Sequence, residues 1–495
     1  MSKKIVIIGG GVAGLSAGIY ARLNGFESEI IEMHSITGGQ CTAWDRKGYR
    51  FDYCLHWLVG TRVGPFNDIW KETNVINDSV KVIDHDIHTR LVSEDGQEFI
   101  IYTSLDRWEK YLIEFAPEDE KSIRKMCNDM RKSSFLQPYS DPPGLRSPVR
   151  TISSMFTMMP VLRLFMKYGR KSVNEYFNSL NFKNDRLKYF FSRLFGGRDF
   201  SALAYIMMFA WFNQKNAGYL VGGSLPMAQR MTQRYLALGG KLTTRKAVSK
   251  IIVENNVANG VELTDGTVIS ADYVISAADG YSTIFRMLGG KYVSDKIRKA
   301  YNEWELFTPL VQVSFGLNKV MKNGYPVTTV LSKDMKIGNT PVENGYSFMN
   351  YAFDQSMAPA GKSVIVLRFE SPWELWKDLG DSGYKLEKEK IENDARALLA
   401  KHFPGINGSV EVCDVATPLT DVRYTGVWKG SYEGFLPSSK NLMTNIDPRL
   451  PGLKKFYMAG QWLFPGGGLP PAGQSGKWAI QYICKEEKIK WFSEV

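Results

Sequence analysis

The chain has 495 residues, 44% hydrophobic and 23% charged, a globular balance with ample apolar material for a large core, and at roughly 100–200 residues per domain it spans two to four domains. Its net charge of +11 favours an anionic cofactor or surface, but the basic residues are scattered and no nucleic-acid module appears, so nucleic acid is excluded as a partner. Five cysteines without a CxxC pair argue against a disulfide framework and for a reduced, cytoplasmic setting, and no run of about eighteen apolar residues is present to span a membrane.

The run Lys4–Ile8 is dominated by apolar, β-branched residues, the pattern of a parallel strand buried on both faces. Gly9-x-Gly11-x-x-Gly14 follows, then a helix over 14–23 closed by Gly25, then a strand over 28–32 ending on Glu32. This is a βαβ unit. Beyond it lie Gly38-Gly39-Gln40 and Gly48-Tyr49-Arg50-Phe51-Asp52. Residues from about 60 to 215 are rich in Met, Phe and Arg and read as mostly helical. His85 and His88 form an HxxH pair, but 81–84 reads as a strand and no Cys or His cluster completes a metal set, so no metal is expected. Within the same block, 147–176 mixes Met155, Phe156, Leu162 and Phe165 with Arg150, Arg163, Lys167 and Arg170. That mixture suits either an interfacial helix on an anionic membrane or a helical cap over a cleft.

A second block opens at Gly222-Gly223, with a helix over 227–238 and strands over 247–254, 258–263 and 267–270, separated by Asn255-Asn256 and Asp265-Gly266 turns. A buried strand over 271–278 follows. Residues from about 290 to 425 carry alternating runs, Leu310–Leu317 and 363–369, that look like a separate sheet. The last block is a strand over 456–460, a Gly/Pro-rich loop and a helix over 474–485. The expected architecture is α/β. A Rossmann-type nucleotide domain takes 1–60, 216–290 and 426–495, interleaved with an α+β substrate domain from 61–215 and 291–425.

The glycine motif sits directly after a strand and opens a helix, which is the context a dinucleotide fingerprint requires. Gly9 permits the tight turn, Gly11 lets the backbone approach a pyrophosphate, and Gly14 lets the helix pack on the sheet. The helix N-terminus offers N–H groups and a positive dipole end to phosphates, and Glu32 is placed to accept from the ribose hydroxyls. With Gly38-Gly39-Gln40, the Gly48–Asp52 stretch, the Gly222–Ala278 block and Met458-Ala459-Gly460 through Gly473 added, the sequence resembles flavoproteins of the phytoene desaturase and amine oxidase type, especially the carotenoid desaturase and retinol saturase branch. The likeness covers both ends and the middle of the chain.

The resemblance implies FAD and a set of contacts. Gly9, Gly11, Ala13, Gly14, Glu32, Gly39 and Gln40 belong to the nucleotide motif and the glycine pair; Val248 would meet the adenine through its backbone. Gly460 and Gln461 would lie along the pyrophosphate and ribityl chain, with Leu469 and Pro470 near the pyrimidine end of the flavin. Two positions depart from the family pattern: Gln461 stands where many relatives have an acid, and Cys54 where glycine is usual. No second GxGxxG appears in a strand–helix context, so no separate NAD domain is expected and electrons pass directly between substrate and flavin.

Flavin performs the hydride transfer, leaving the protein to supply orientation, an apolar cleft and a proton carrier. His56, just after the Gly48–Asp52 stretch, is the candidate carrier, its ordinary pKa near 6.5 suiting acid–base exchange. Wall candidates are 205–212, 346–351, Trp462 and Phe464. The implied activity is an FAD-dependent desaturation or saturation of a C–C bond in a carotenoid, retinoid or other isoprenoid lipid. The alternatives are a flavin amine oxidase, an isomerase without net redox, and a non-catalytic FAD-binding protein. The expected partners are a hydrophobic small molecule and a peripheral contact with the inner face of an anionic membrane.

Overall fold

The computed structural model describes residues 2–135, 141–145, 159–194, 198–321, 324–406, 408–442 and 444–494. Five strands form a parallel sheet in the order Lys241–Thr243, Glu27–Ile31, Lys4–Ile8, Tyr273–Ser276, Phe456–Met458. Side chains alternate across a strand, so a strand buried on both faces must be apolar at every position. Ile5 and Ile7 point into a core shared with Ala13, Ala17, Ala479 and Ile483, contributed by helices Val12–Leu23 and Leu469–Glu486. Val6 and Ile8 point the other way, against Ile251 and Val261 of the antiparallel sheet Val248–Glu254, Val257–Leu263, Val268–Ser270. The two helices touch at Gly476, where a Cβ would lie 2.4 Å from Ala13 O.

A second, seven-stranded sheet is ordered Val410–Ala416, Leu310–Leu317, Ser363–Glu370, Tyr346–Asn350, Val327–Val330, Ile87–Val92, Glu98–Tyr102. Its pairs are antiparallel except that between Val327–Val330 and Ile87–Val92. A helical block carries a third core of aromatic rings, among them the stacked pairs Phe177–Phe191 and Trp108–Phe209.

The structure adds to two sequence expectations and corrects the bounds of a third. Residues 60–215 are not simply helical: Ile87–Val92 and Glu98–Tyr102 join the large sheet, so His88 lies on a strand and His85 just before it. Residues 290–425 hold, beside their strands, the helix Asp381–His402. The helices expected over 227–238 and 474–485 begin at Ser224 and Leu469. Pro226, Pro470 and Pro471 read as loop, yet the first turn of a helix has no use for their missing N–H groups. Of the stretch 147–176, residues 146–158 lie outside the described residues, whereas Met159–Tyr168 is a helix. Among the described residues no helix is long and apolar enough to cross a membrane.

Candidate functional site

Gly9 takes φ +95°, which turns the chain sharply off the first strand. A Cβ on Gly14 would stand 1.9 Å from Gly9 O, so helix Val12–Leu23 can press on the turn only with glycine there. Gly11 is the N-cap residue of that helix. No side chain caps it and its first turn holds no acidic residue, leaving free N–H groups and an uncancelled positive dipole end. A Cβ on Gly11 would meet nothing nearer than Gly38 O at 3.9 Å, so the backbone is open to a ligand there.

The buried Glu32 accepts from Gly10 N–H at 2.6 Å and His34 N–H at 2.7 Å. Burial raises its carboxyl above the usual range, and the two donors offset part of that effect. Lys246 N–H donates to Glu32 O at 3.0 Å, which brings Val248 beside the same turn. Gly38 N–H donates to Gly10 O at 2.9 Å, setting the Gly38-Gly39 pair against the glycine motif. Gln461 Nε2 donates to Gln40 Oε1 at 3.2 Å, while Gln40 Nε2 is buried with no partner. Gly460 N–H is held by Ser475 Oγ at 2.7 Å, which ties this loop to the C-terminal helix.

These groups surround one cavity of about 1230 Å³, larger than the roughly 300–1,000 Å³ of an ordinary ligand site and so roomy enough for a cofactor and a substrate together. Gly9, Gly11, Ala13, Glu32, Gly39, Gln40, Val248, Gly460, Gln461, Leu469 and Pro470 all line it. Gly14 does not; it acts from behind, by packing. The acid-free helix N-terminus, the open cradle at Gly11 and the orphaned Gln40 amide fit FAD. Cys41 and Cys54 line the cavity as free thiols.

The Gly48–Asp52 stretch is the second strand of a hairpin, Ala43–Arg46 with Tyr49–Asp52, closed by Lys47-Gly48. Asp52 is buried and accepts from Ser224 N–H at 2.6 Å, Ser224 Oγ at 2.8 Å and Leu55 N–H at 3.0 Å, which clamps the hairpin to helix Ser224–Ala237. The following residues are held by Arg368, whose guanidinium donates to Tyr53 O and, at 2.8 Å, to Gln312 Oε1.

His56 lines the large cavity and also a smaller chamber of about 350 Å³; Trp57, Val327 and Met349 are shared between the two as well. Its exposed surface faces these spaces, while the surrounding protein and the Arg368 charge pull the imidazole down to about 4. The ring Nδ1 lies 3.0 Å from Cys54 O. Held neutral at pH 7, it is poorly suited to donate a proton.

Two acids that sequence reasoning missed also line the cavity. Burial lifts Glu433 to about 7. It also lifts Asp421 to about 8, against the opposing effects of a 2.5 Å bond from Tyr53 OH and the Arg368 charge. Glu433 sits under the glycine loop, where a Cβ on Gly468 would stand 3.1 Å from Glu433 Oε1. Neither acid belongs to a motif, and no local pattern marks them. Helix Ala202–Asn213 presents Ala204, Met207, Met208 and Trp211 to the cavity and buries Tyr205, Phe209 and Phe212 behind them. Tyr346, Ser347 and Met349 line it from the large sheet. Trp462 borders it too, but Phe464 does not, packing instead on Trp478 at 5.8 Å. Among the described residues no group of His, Cys, Asp or Glu could hold a metal.

Against known proteins, the model of the family described as flavin containing amine oxidoreductase matches residues 12–484. The chain is similar to a 4,4'-diapophytoene desaturase (4,4'-diapolycopene-forming) of Methylomonas sp, at 23% identity over 99% of this chain and 97% of that one. It is also similar to a chloroplastic prolycopene isomerase of Daucus carota, at 21% identity over 95% and 78%. The fold is that of an oxidoreductase from Methanosarcina mazei, with a TM-score of 0.66 and 16% identity over 97% of this chain and 100% of that one.

Proposed function

We propose that this chain, which belongs to the flavin containing amine oxidoreductase family, is an FAD-dependent enzyme that desaturates or saturates a C–C bond of a carotenoid, retinoid or other isoprenoid lipid. The observation that carries the reading is the single cavity in which the glycine turn, the Gly460–Pro470 loop and an apolar wall meet. FAD, when bound, supplies the hydride acceptor or donor. Gly9, Gly11, Ala13, Glu32, Gly39, Gln40, Val248, Gly460, Gln461, Leu469 and Pro470 are the residues we assign to holding it, with Gly14 seating the helix beneath.

The chain's own chemistry is then modest. Met207, Met208, Trp211 and Met349 take an apolar chain and exclude water from it. A desaturation removes one hydride and one proton, so a base must take the proton, and a saturation needs an acid to return it. Glu433 is the group we assign to that proton in place of His56, because its carboxyl changes state near neutral pH beside the glycine loop. We place His56 instead at the opening between the two chambers. The division into a flavin domain and a substrate domain, with a cytoplasmic setting and peripheral membrane contact through the block that includes helix Met159–Tyr168, belongs to the same reading.

A second reading has its own support. Similarity to a prolycopene isomerase across nearly the whole chain favours an isomerisation without net electron transfer. One experiment separates the two: anaerobic mixing of holoprotein with a host isoprenoid lipid fraction, followed by flavin absorbance and lipid mass. Bleaching of oxidised flavin with loss of two hydrogens, or return of colour to pre-reduced flavin with gain of two, supports the first reading. Altered double-bond geometry at constant mass moves the assignment to the isomerase. Neither change would sink both.

A further inference from the structure

Arg193 lines the large cavity, and among the described residues its side-chain Nε and Nη2 have no hydrogen-bond partner. It follows helix Asp185–Ser192, and its backbone N–H donates to Phe190 O at 3.2 Å. Leu187, Phe190 and Phe191 are buried in the aromatic core, so the point from which the arginine side chain leaves is fixed. The side chain lines the cavity, with Nε and Nη2 buried and bonded to nothing. Among the described residues the arginines on either side of it in sequence are paired, Arg186 with Asp95 and Arg198 with Glu370, and no ion pair includes Arg193. Elsewhere on the cavity wall, Arg46 is answered by Asp414 and Arg368 by Gln312, and Arg423 stands exposed.

Buried guanidinium N–H groups without acceptors are costly, and the cost is relieved by an acceptor that fits the Nε–Nη2 fork. A carboxylate does so with two parallel bonds. The position argues for substrate rather than cofactor. Arg193 comes from the helical block, as do Ala204, Met207 and Met208 of the apolar wall, and that block has a core separate from the one beneath the glycine turn. We propose that Arg193 receives the carboxylate of the substrate, which makes the preferred substrate an acid: an apolar polyene or isoprenoid chain with one anionic end. This rests on the reading of the cavity as the site of an apolar substrate.

The test compares all-trans-retinoic acid with its uncharged methyl ester, binding each to oxidised holoprotein under argon and following the perturbation of the flavin absorbance. In the natural protein the acid is expected to bind about tenfold more tightly than the ester, the scale of a charge-assisted bidentate contact. Arg193→Gln is expected to erase that preference while leaving FAD content and ester affinity unchanged, and Arg193→Lys to keep part of it. Equal affinities in the natural protein, or a preference that survives Arg193→Gln, would overturn the assignment and leave the proposed function standing. Loss of FAD from both variants would overturn it in favour of a cofactor contact. Failure of both probes to bind would count against the apolar-substrate reading itself, and the assignment would go with it.

Discussion

Glu433 and Asp421 are acids whose carboxyls are kept protonated well above the usual carboxylate range because burial penalises the charge. Replacing Glu433 by Gln is expected to lower turnover about 10²–10⁴-fold, the usual worth of a positioned acid or base, with FAD content unchanged. The pH profile tells which role it plays. A base in desaturation makes the rate rise as pH passes about 7, an acid in saturation makes it fall, and the Gln variant should lose that inflection. A turnover and profile like those of the natural protein would remove Glu433 from the mechanism. Asp421 yields a stability prediction. Its folded value near 8 lies above the ordinary 3.8, so across that window the folded chain holds a proton that the unfolded chain releases. Stability from this group is therefore present at low pH and lost as pH rises toward 8. Thermal melts of the natural protein and Asp421→Asn at pH 5 and pH 8 should show the variant gaining relative stability at the higher pH.

At the scale of elements, the helix after the glycine turn is seated by the absence of one methyl group. Gly14→Ala would drive a Cβ into Gly9 O, and overpacking of this kind costs about 1–3 kcal/mol. The expected result is a lower Tm together with reduced FAD content; normal flavin loading would mean that the turn can yield. This motif was fully legible in the sequence, because spacing, strand and helix all lie within neighbouring residues. So were the alternating strands Leu310–Leu317 and Ser363–Glu370, which lie in a sheet of their own as expected and pair there with each other. The first turns of the helices at Ser224 and Leu469 were not, since proline carries the same local signal whether it ends a loop or begins a helix. Nor were Glu433, Asp421 and Arg193. Each is an ordinary surface-type residue in the sequence, and only long-range packing brings it into a cavity wall.

For the molecule as a whole, charge and shape bear on where it works. With a net charge of +11 and a helix, Met159–Tyr168, that exposes Met166 beside Arg163 and Lys167, peripheral attachment to an anionic bilayer should be electrostatic and therefore sensitive to salt. Co-sedimentation with vesicles rich in phosphatidylserine is expected at low ionic strength and release at high. No binding at any ionic strength would remove the membrane from the picture.

The parallel sheet has a consequence for how the protein is made. Strand Lys4–Ile8 finds one neighbour at once in Glu27–Ile31, the other in Tyr273–Ser276, and the far edge comes only with Phe456–Met458. A ribosome adding about 5–20 residues per second would finish the glycine turn roughly 20–90 seconds before Gly460 emerged. Throughout that interval the loop that completes the phosphate cradle has not been made, so flavin capture waits until Gly460 has emerged. A ligand that binds only the finished fold stabilises it by mass action. Depriving the host of riboflavin is then expected to lower the amount of this protein in the cell, measured by immunoblot, rather than to leave a store of inactive chains awaiting cofactor.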